Sequence, residues 1–369
     1  MITLLHTISQ LGNGGRERRM VQLVKQLAAH GGYKQYILVF DKNIEYTDVY
    51  NTGAEIIFFD YSAKKAVAFR NLRDIIDRIR PDIVHSWNGG PIDVALSWFK
   101  FRYGFRYIAG YVADGIMLRR FSQSDIIHRI SFACADAIVS NSRAGLVAKR
   151  APMSKSHIIF NGFDYARFKS SKTKEDKRKE LGITSRYLVA MFARMSPAKD
   201  YMSFINMAEL AMKQHNDITF LCVGGGNDTI LTEYRQIIAA KALTNIILLG
   251  NRQDIEEIIK ACDITVLMSN PEVHAEGISN SIMESMAAGV PVIASDGGGT
   301  PEILEDGING YIVTPHDSNA AYHKLCLLLT DDSLRSTFGT NAVETINRSF
   351  LLSTMGDHYI DLYNTLLQK

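Results

Sequence analysis

The chain has 369 residues, enough for two domains, and its 46% hydrophobic content belongs to a globular protein rather than a disordered one. A net charge of +2 excludes the strongly basic balance of a nucleic-acid binder. The charge is uneven, however: residues 1–168 hold 23 Lys and Arg against 14 Asp and Glu, and residues 169–369 hold 18 against 25.

In chain order, short apolar runs predict strands at 3–6, 36–40, 55–59, 83–85, 107–110, 137–140 and 157–160. Helical patterns lie between them, as at 18–29, where Met20, Leu23, Val24 and Leu27 recur at helical spacing. Residues 169–180 carry no large apolar side chain before Leu181 and read as a surface linker leading into the first exposed turn of a second domain. Further strands follow at 188–192, 219–223, 246–249, 264–268, 292–294 and 311–313, and residues 318–369 are helical in pattern. Strand–helix alternation predicts parallel sheets covered on both faces. The expected fold is α/β, with two doubly wound Rossmann-like domains at 1–168 and 169–350 facing a central cleft. A last helix at 351–369 is expected to cross back to the first domain. Ligands of such sheets bind beyond the carboxyl ends of the strands.

Four cysteines without a Cys-x-x-Cys pair read as free thiols of a reducing compartment. The first residues lack the pattern of a signal peptide, and no run approaches the ~20 apolar residues that span a bilayer. The expectation is a cytoplasmic protein, with contact at the inner face of the cytoplasmic membrane left open.

Several strands end in loops suited to an anionic ligand. Gly14 and Gly15 precede the first long helix, where glycine lets a ligand approach and the helix start offers N–H groups. Arg194 and Lys199 follow the strand at 188–192; Arg offers a planar fork to phosphate and Lys a point charge. Either could equally be a solvated surface cation, but their place beyond a strand's carboxyl end favours function. Gly224 opens a turn after the strand at 219–223, and Asn251 and Arg252 follow the next strand, where a nucleobase could lie.

The acids Glu276 and Glu284 enclose a glycine and a run of small residues. On one continuous helix they would lie about 80° apart, so the better fit starts the helix near 279–281. Glu276 then sits in the preceding loop with Gly277 and Ile278, and Ser279 and Asn280 open the helix toward a diphosphate. Ser281 and Glu284 also fit a capping box, which alone could account for Glu284. No structural need calls for an acid at 276.

These residues in order resemble the retaining glycosyltransferases of family 4, which have the two-domain GT-B architecture. The resemblance rests on Gly14-Gly15-Arg16-Glu17, Arg80-Pro81-Asp82-Ile83-Val84-His85, Asn161-Gly162-Phe163-Asp164, Arg194 with Lys199, Val223-Gly224-Gly225-Gly226, and the pair Glu276 and Glu284 before Met286-Ala287-Ala288-Gly289-Val290-Pro291. It covers nearly the whole chain and is most specific over 188–313. It implies a nucleotide-diphospho-sugar donor, UDP- or GDP-linked, and a glycan or lipid-linked acceptor held by the first domain. It implies retention of configuration and no metal or other cofactor, with Arg194 and Lys199 stabilising the departing diphosphate, Glu276 orienting the sugar, Glu284 holding the ribose and Gly15 approaching the phosphates. Many members carry a histidine after the strand equivalent to 107–110; here Asp114 stands nearby and either takes part of that role or simply makes an Asp–Gly turn.

The run 98–107 interleaves aromatic and cationic residues, which suits peripheral membrane contact as well as partial core packing. Competing readings are a nucleotide-sugar epimerase or hydrolase on the same frame and a non-catalytic sugar-nucleotide sensor. A dehydrogenase is disfavoured because Gly-x-Gly-x-x-Gly is missing after the first strand.

Overall fold

Seven parallel strands form the first sheet. They are β1 (Ile2–Ile8), β2 (Tyr33–Val39), β3 (Glu55–Phe58), β4 (Ile83–Ser86), β5 (Arg106–Val112), β6 (Ala137–Ser140) and β7 (Ser156–Ile158), in the order β3-β2-β1-β4-β5-β6-β7. The helices between them are α1 (Gly15–His30), α2 (Lys65–Ile79), α3 (Pro91–Tyr103), α4 (Gln123–Cys134) and α5 (Arg143–Ala148). The computed structural model describes residues 1–12, 14–61, 64–112, 114–168 and 172–368. Asn13 of the first glycine turn, Ala113 beside Asp114 and the first linker residues, 169–171, lie outside the described residues.

The second sheet has six parallel strands: β8 (Tyr187–Phe192), β9 (Ile218–Val223), β10 (Ile246–Gly250), β11 (Ile264–Leu267), β12 (Val292–Ser295) and β13 (Gly310–Val313), in the order β10-β9-β8-β11-β12-β13. Its helices are α6 (Lys174–Glu180), α7 (Tyr201–Met212), α8 (Asp228–Ala240), α9 (Ile255–Ala261), α10 (Asn280–Ala287), α11 (Ser318–Thr330) and α12 (Asp332–Ser349); α13 (Leu352–Leu367) follows. Each of the thirteen predicted strands is present. Strand order reverses between β1 and β4 in one sheet and between β8 and β11 in the other, and ligands of such sheets bind at these switch points.

Compactness divides the chain at Gly162/Phe163. One unit comprises Met1–Ala113, Met117–Gly162 and Leu352–Lys369, and the other comprises Asp114–Ile116 and Phe163–Leu351. In the first unit, alternate residues of β1 feed opposite faces of the sheet. Leu4 packs with Met20, Leu23 and Leu27 of α1, while Leu5 packs with Leu72 and Ile76 of α2 and Phe99 of α3. Each such side chain contributes roughly 1.5–3 kcal/mol by leaving water. Helix α13 inserts Met355, Tyr359, Tyr363 and Leu366 into the α1 face. There Tyr363 Oη lies 2.7 Å from His85 Nδ1, and the Arg19 guanidinium is held over the rings of Trp87 and Tyr359. The predicted return of the last helix is therefore present. All four cysteines are free, with Cys222 and Cys262 buried.

Candidate active site

The second sheet's switch point is flanked by two loops. The loop after β8 carries Arg194 and Lys199, and the loop after β11 carries Ser269 and Glu276. Backbone bonds join the loops: Asn270 N–H donates to the Ala198 carbonyl at 3.1 Å, and Asp200 N–H to the Met268 carbonyl at 3.0 Å. This pairing brings the Lys199 ammonium into an ion pair with the Glu276 carboxylate. Ser269 Oγ donates to the same carboxylate at 2.8 Å, and His274 Nε2 stands 3.7 Å from its other oxygen.

Glu276 is 8% exposed. Burial works to raise its carboxyl, but the neighbouring His274 and the Lys199 charge outweigh it and hold the group at about 2. The carboxylate is thus ionised at neutral pH. Its main chain is fixed as well, since the Glu276 carbonyl accepts from Gly299 N–H at 2.8 Å. Sequence reasoning missed both Ser269 and His274. Their signal is spacing alone, because both fall between the end of β11 and Glu276.

Arg194 is exposed, and its guanidinium has no acidic partner among the described residues. The two cations of one loop therefore differ: Lys199 is engaged and Arg194 is available.

Beside them, β8 and β9 extend into a second backbone zip. Ala193 N–H donates to the Val223 carbonyl at 3.0 Å, and Met195 N–H to the Gly225 carbonyl at 2.7 Å. Gly224, at φ +145, leaves room for this. A Cβ there would stand 2.0 Å from the Ala193 carbonyl oxygen. Gly224→Ala is expected to lower stability by roughly 2 kcal/mol or more, at about 2–4 °C per kcal/mol, because the obstructing atom is backbone. Thermal unfolding checks this, and an unchanged midpoint would contradict it. Asn251 lays its amide against Gly225, while Arg252 is held by Asp254 at 2.7 Å, a carboxylate that also holds Lys177.

Helix α10 starts at Asn280, as the acid spacing predicts. Gly277 and Ile278 are buried in the approach, and Ser279 is the N-cap. No side-chain cap bond closes the first turn, since Ser279 Oγ meets Ser281 Oγ at 3.1 Å instead. The helix ends in a Schellman pair, with Val290 N–H donating to the Ser285 carbonyl at 3.0 Å and Gly289 N–H to that of Met286 at 3.0 Å. Pro291 then leads into β12.

The capping-box reading of Glu284 is corrected by this geometry. Ser281 lies inside the helix and caps nothing. Glu284 is buried, and its Oε1 accepts from Arg167 Nη1 at 2.8 Å; the same arginine also pairs with Glu256. Arg167 lies in a short helical turn, 165–168, whose sequence gave no hint of this role.

The remaining candidates lie apart from this cluster in sequence. Asp114 groups with the second unit, and its Oδ1 accepts from Ile116 N–H at 3.1 Å, a local turn bond. In the first unit, Gly14 is the N-cap of α1, and a Cβ there would stand 2.0 Å from the Glu17 carboxylate; Gly15 is the first helical residue.

The sequence signature of the glycosyl transferases group 1 matches residues 173–345, and that of Glycosyltransferase Family 4 matches residues 13–167. The chain belongs to this glycosyltransferase family. Over 361 residues, 91% of the chain, it is 25% identical to N,N'-diacetylbacillosaminyl-diphospho-undecaprenol alpha-1,3-N-acetylgalactosaminyltransferase of Campylobacter jejuni, covering 93% of that protein. It is 28% identical over 250 residues to D-inositol 3-phosphate glycosyltransferase of Corynebacterium kroppenstedtii, which is 64% of this chain but only 54% of that one. The crystal structure of Anabaena Alr3699/HepE in complex with UDP superposes with a TM-score of 0.85 at 21% identity, covering 99% of this chain and 100% of that one. The GT-B fold of this glycosyltransferase is therefore shown. The epimerase or hydrolase alternative finds no support among these relatives.

Proposed function

We propose that this glycosyltransferase moves a sugar from a nucleotide-diphospho-sugar, UDP- or GDP-linked, to a glycan or lipid-linked acceptor in polysaccharide or glycoconjugate assembly. The observation that carries this reading is the pairing of Glu276 with Lys199 at the strand switch point, in a loop whose other cation, Arg194, has no acidic partner among the described residues. A diphosphate supplies the anion that Arg194 lacks, and charge-assisted bonds from Arg194 and Lys199 stabilise the charge that grows as the sugar leaves. Two side-chain cations take this role without a metal. Glu276 accepts hydrogen bonds from hydroxyls of the donor sugar, and its ionised state makes it an acceptor only. The relatives support the substrate classes. The Campylobacter protein is named for a diphospho-undecaprenol acceptor, and HepE was solved with UDP. Configuration at the sugar carbon is retained, as the family resemblance implies.

The test is thermal unfolding against a panel of UDP- and GDP-sugars, since a ligand at a hundred times its dissociation constant stabilises the fold by ~2.7 kcal/mol. Arg194→Gln is expected to weaken the responding donor roughly 10- to 100-fold, the worth of one charged hydrogen bond, while leaving the free protein's midpoint in place. Donor binding undiminished in that variant would remove Arg194 from the site. Sugar release or epimerisation by the protein alone, matching its rate with acceptor, would favour the alternative chemistry.

A further inference from the structure

The segment that opens the second unit, 163–168, is anchored at both ends. Phe163 is buried, and its N–H donates to the Phe350 carbonyl at 2.7 Å. At the far end the Lys260 ammonium donates to the Phe168 carbonyl at 3.0 Å and lies 4.7 Å from the centre of the Phe168 ring. Between these anchors the Arg167 guanidinium is carried over the Phe163 ring, 5.7 Å from its centre. The arginine is therefore set in place by its own segment before any acid meets it.

Two acids from two helices sit on its fork. Nη1 donates to Glu284 Oε1 of α10 at 2.8 Å, and Nη2 pairs with Glu256 of α9. A planar guanidinium fixes direction as well as charge, so Glu256 on one nitrogen sets the plane in which the other grips Glu284. Stability alone is a poor account of this arrangement. A largely buried ion pair returns little net energy, and an apolar pair of the same volume often stabilises a fold as well or better. Glu284 lies in the second turn of α10, a helix that opens without a side-chain cap. A carboxylate oriented there suits a ligand that needs a fixed acceptor, and the neighbouring hydroxyls of a nucleotide's ribose are such a ligand.

We propose that Arg167 is a positioning residue for the donor's ribose: by gripping one oxygen of Glu284, it orients the carboxylate that accepts from the ribose hydroxyls. The proposal rests on the donor reading above, with Glu284 as the ribose ligand. Arg167 itself does not touch the donor. Its effect is on how sharply the site senses those hydroxyls.

The readout is therefore discrimination rather than affinity. Binding of UDP and GDP, and of their 2′-deoxy and 3′-deoxy counterparts, is measured by calorimetry on the full chain, with unfolding midpoints taken alongside. The unaltered protein should bind a deoxy form of its nucleotide roughly 10- to 100-fold more weakly than the parent, the worth of one hydrogen bond to a charged group. In Glu284→Ala that ratio should fall toward one. Arg167→Lys keeps a cation between the two acids but not the fork, so it should lose most of the ratio while the midpoint holds. Glu256→Gln frees one arm of the fork and leaves the bond to Glu284, so it should lower the ratio by a smaller factor; it decides the matter if Arg167→Lys does not fold. A purely structural Arg167 would lower the midpoint in these variants and leave the ratio alone, and that result overturns the proposal. So does a ratio unchanged in Glu284→Ala, or an unaltered protein that binds a nucleotide without sensing either hydroxyl. Binding of neither nucleotide would instead sink the donor reading, and this proposal with it.

Discussion

Replacing Glu276 by Gln is expected to slow sugar transfer by roughly 100- to 1,000-fold at saturating donor, the range seen when one preorganised electrostatic contact is removed. Gln keeps the shape, so the Ser269 hydroxyl retains an acceptor. What is lost is the charge that Lys199 faces. Lys199→Ala is the harsher change, because it leaves a carboxylate that is 8% exposed without its cation; breaking a buried pair in this way costs ~3–5 kcal/mol. The two variants and their double form a cycle in which strong coupling is expected, and additivity would show that the residues act separately. Acid tests the same pair. Because the folded-state carboxyl is held at about 2, below its ordinary value near 4.3, its contribution to stability is complete above that ordinary value. The contribution drains away as pH falls from there toward 2. In Glu276→Gln this part of the acid limb should vanish, and an unaltered acid profile would deny the pairing. Full activity in the same variant would remove Glu276 from the reaction.

Gly298→Ala should damage the enzyme through backbone alone. Gly298 has φ +55, and a Cβ there would stand 1.9 Å from the Glu276 carbonyl oxygen. The left-handed conformation costs an L-residue about 1–2 kcal/mol before any clash is counted. Nothing flexible can yield, since the obstructing atom is main chain and is already bonded to Gly299 N–H. We expect a fall in the unfolding midpoint of several degrees, together with a loss of transfer activity approaching that of Glu276→Gln, because the loop that sets the carboxylate must move. Donor affinity measured by calorimetry and turnover measured separately check this. A stable, fully active Gly298→Ala would show that the loop after β12 does not hold Glu276.

Much of this architecture is legible in the residues, for definable reasons. Parallel strands buried on both faces are short and apolar, so β6, β8 and β12 show as runs that need no alternation to be found. The start of α10 follows from the acid spacing, since one continuous helix would have turned Glu276 and Glu284 apart. What stayed hidden depends on contacts across long sequence gaps. Glu284 looks like a cap because Ser281 stands three residues before it, yet its partner Arg167 is 117 residues away. Ser269 and His274 carry no pattern of their own and gain meaning only where the loop folds over Glu276. The glycines after β9 look like a ligand cradle, but Gly224 is first required by the Ala193 carbonyl that faces it. Arg252 likewise looks available until Asp254 closes on it.

The return of α13 has a consequence for biosynthesis. A ribosome delivers β1 to β7 long before it delivers Tyr359 and Tyr363, and until then the α1 side of that sheet lacks the aromatic rings that seal Arg19 and His85 from water. The sheet of the first unit is therefore sealed only after the whole intervening unit has emerged, and the nascent chain carries an open apolar face until α13 follows.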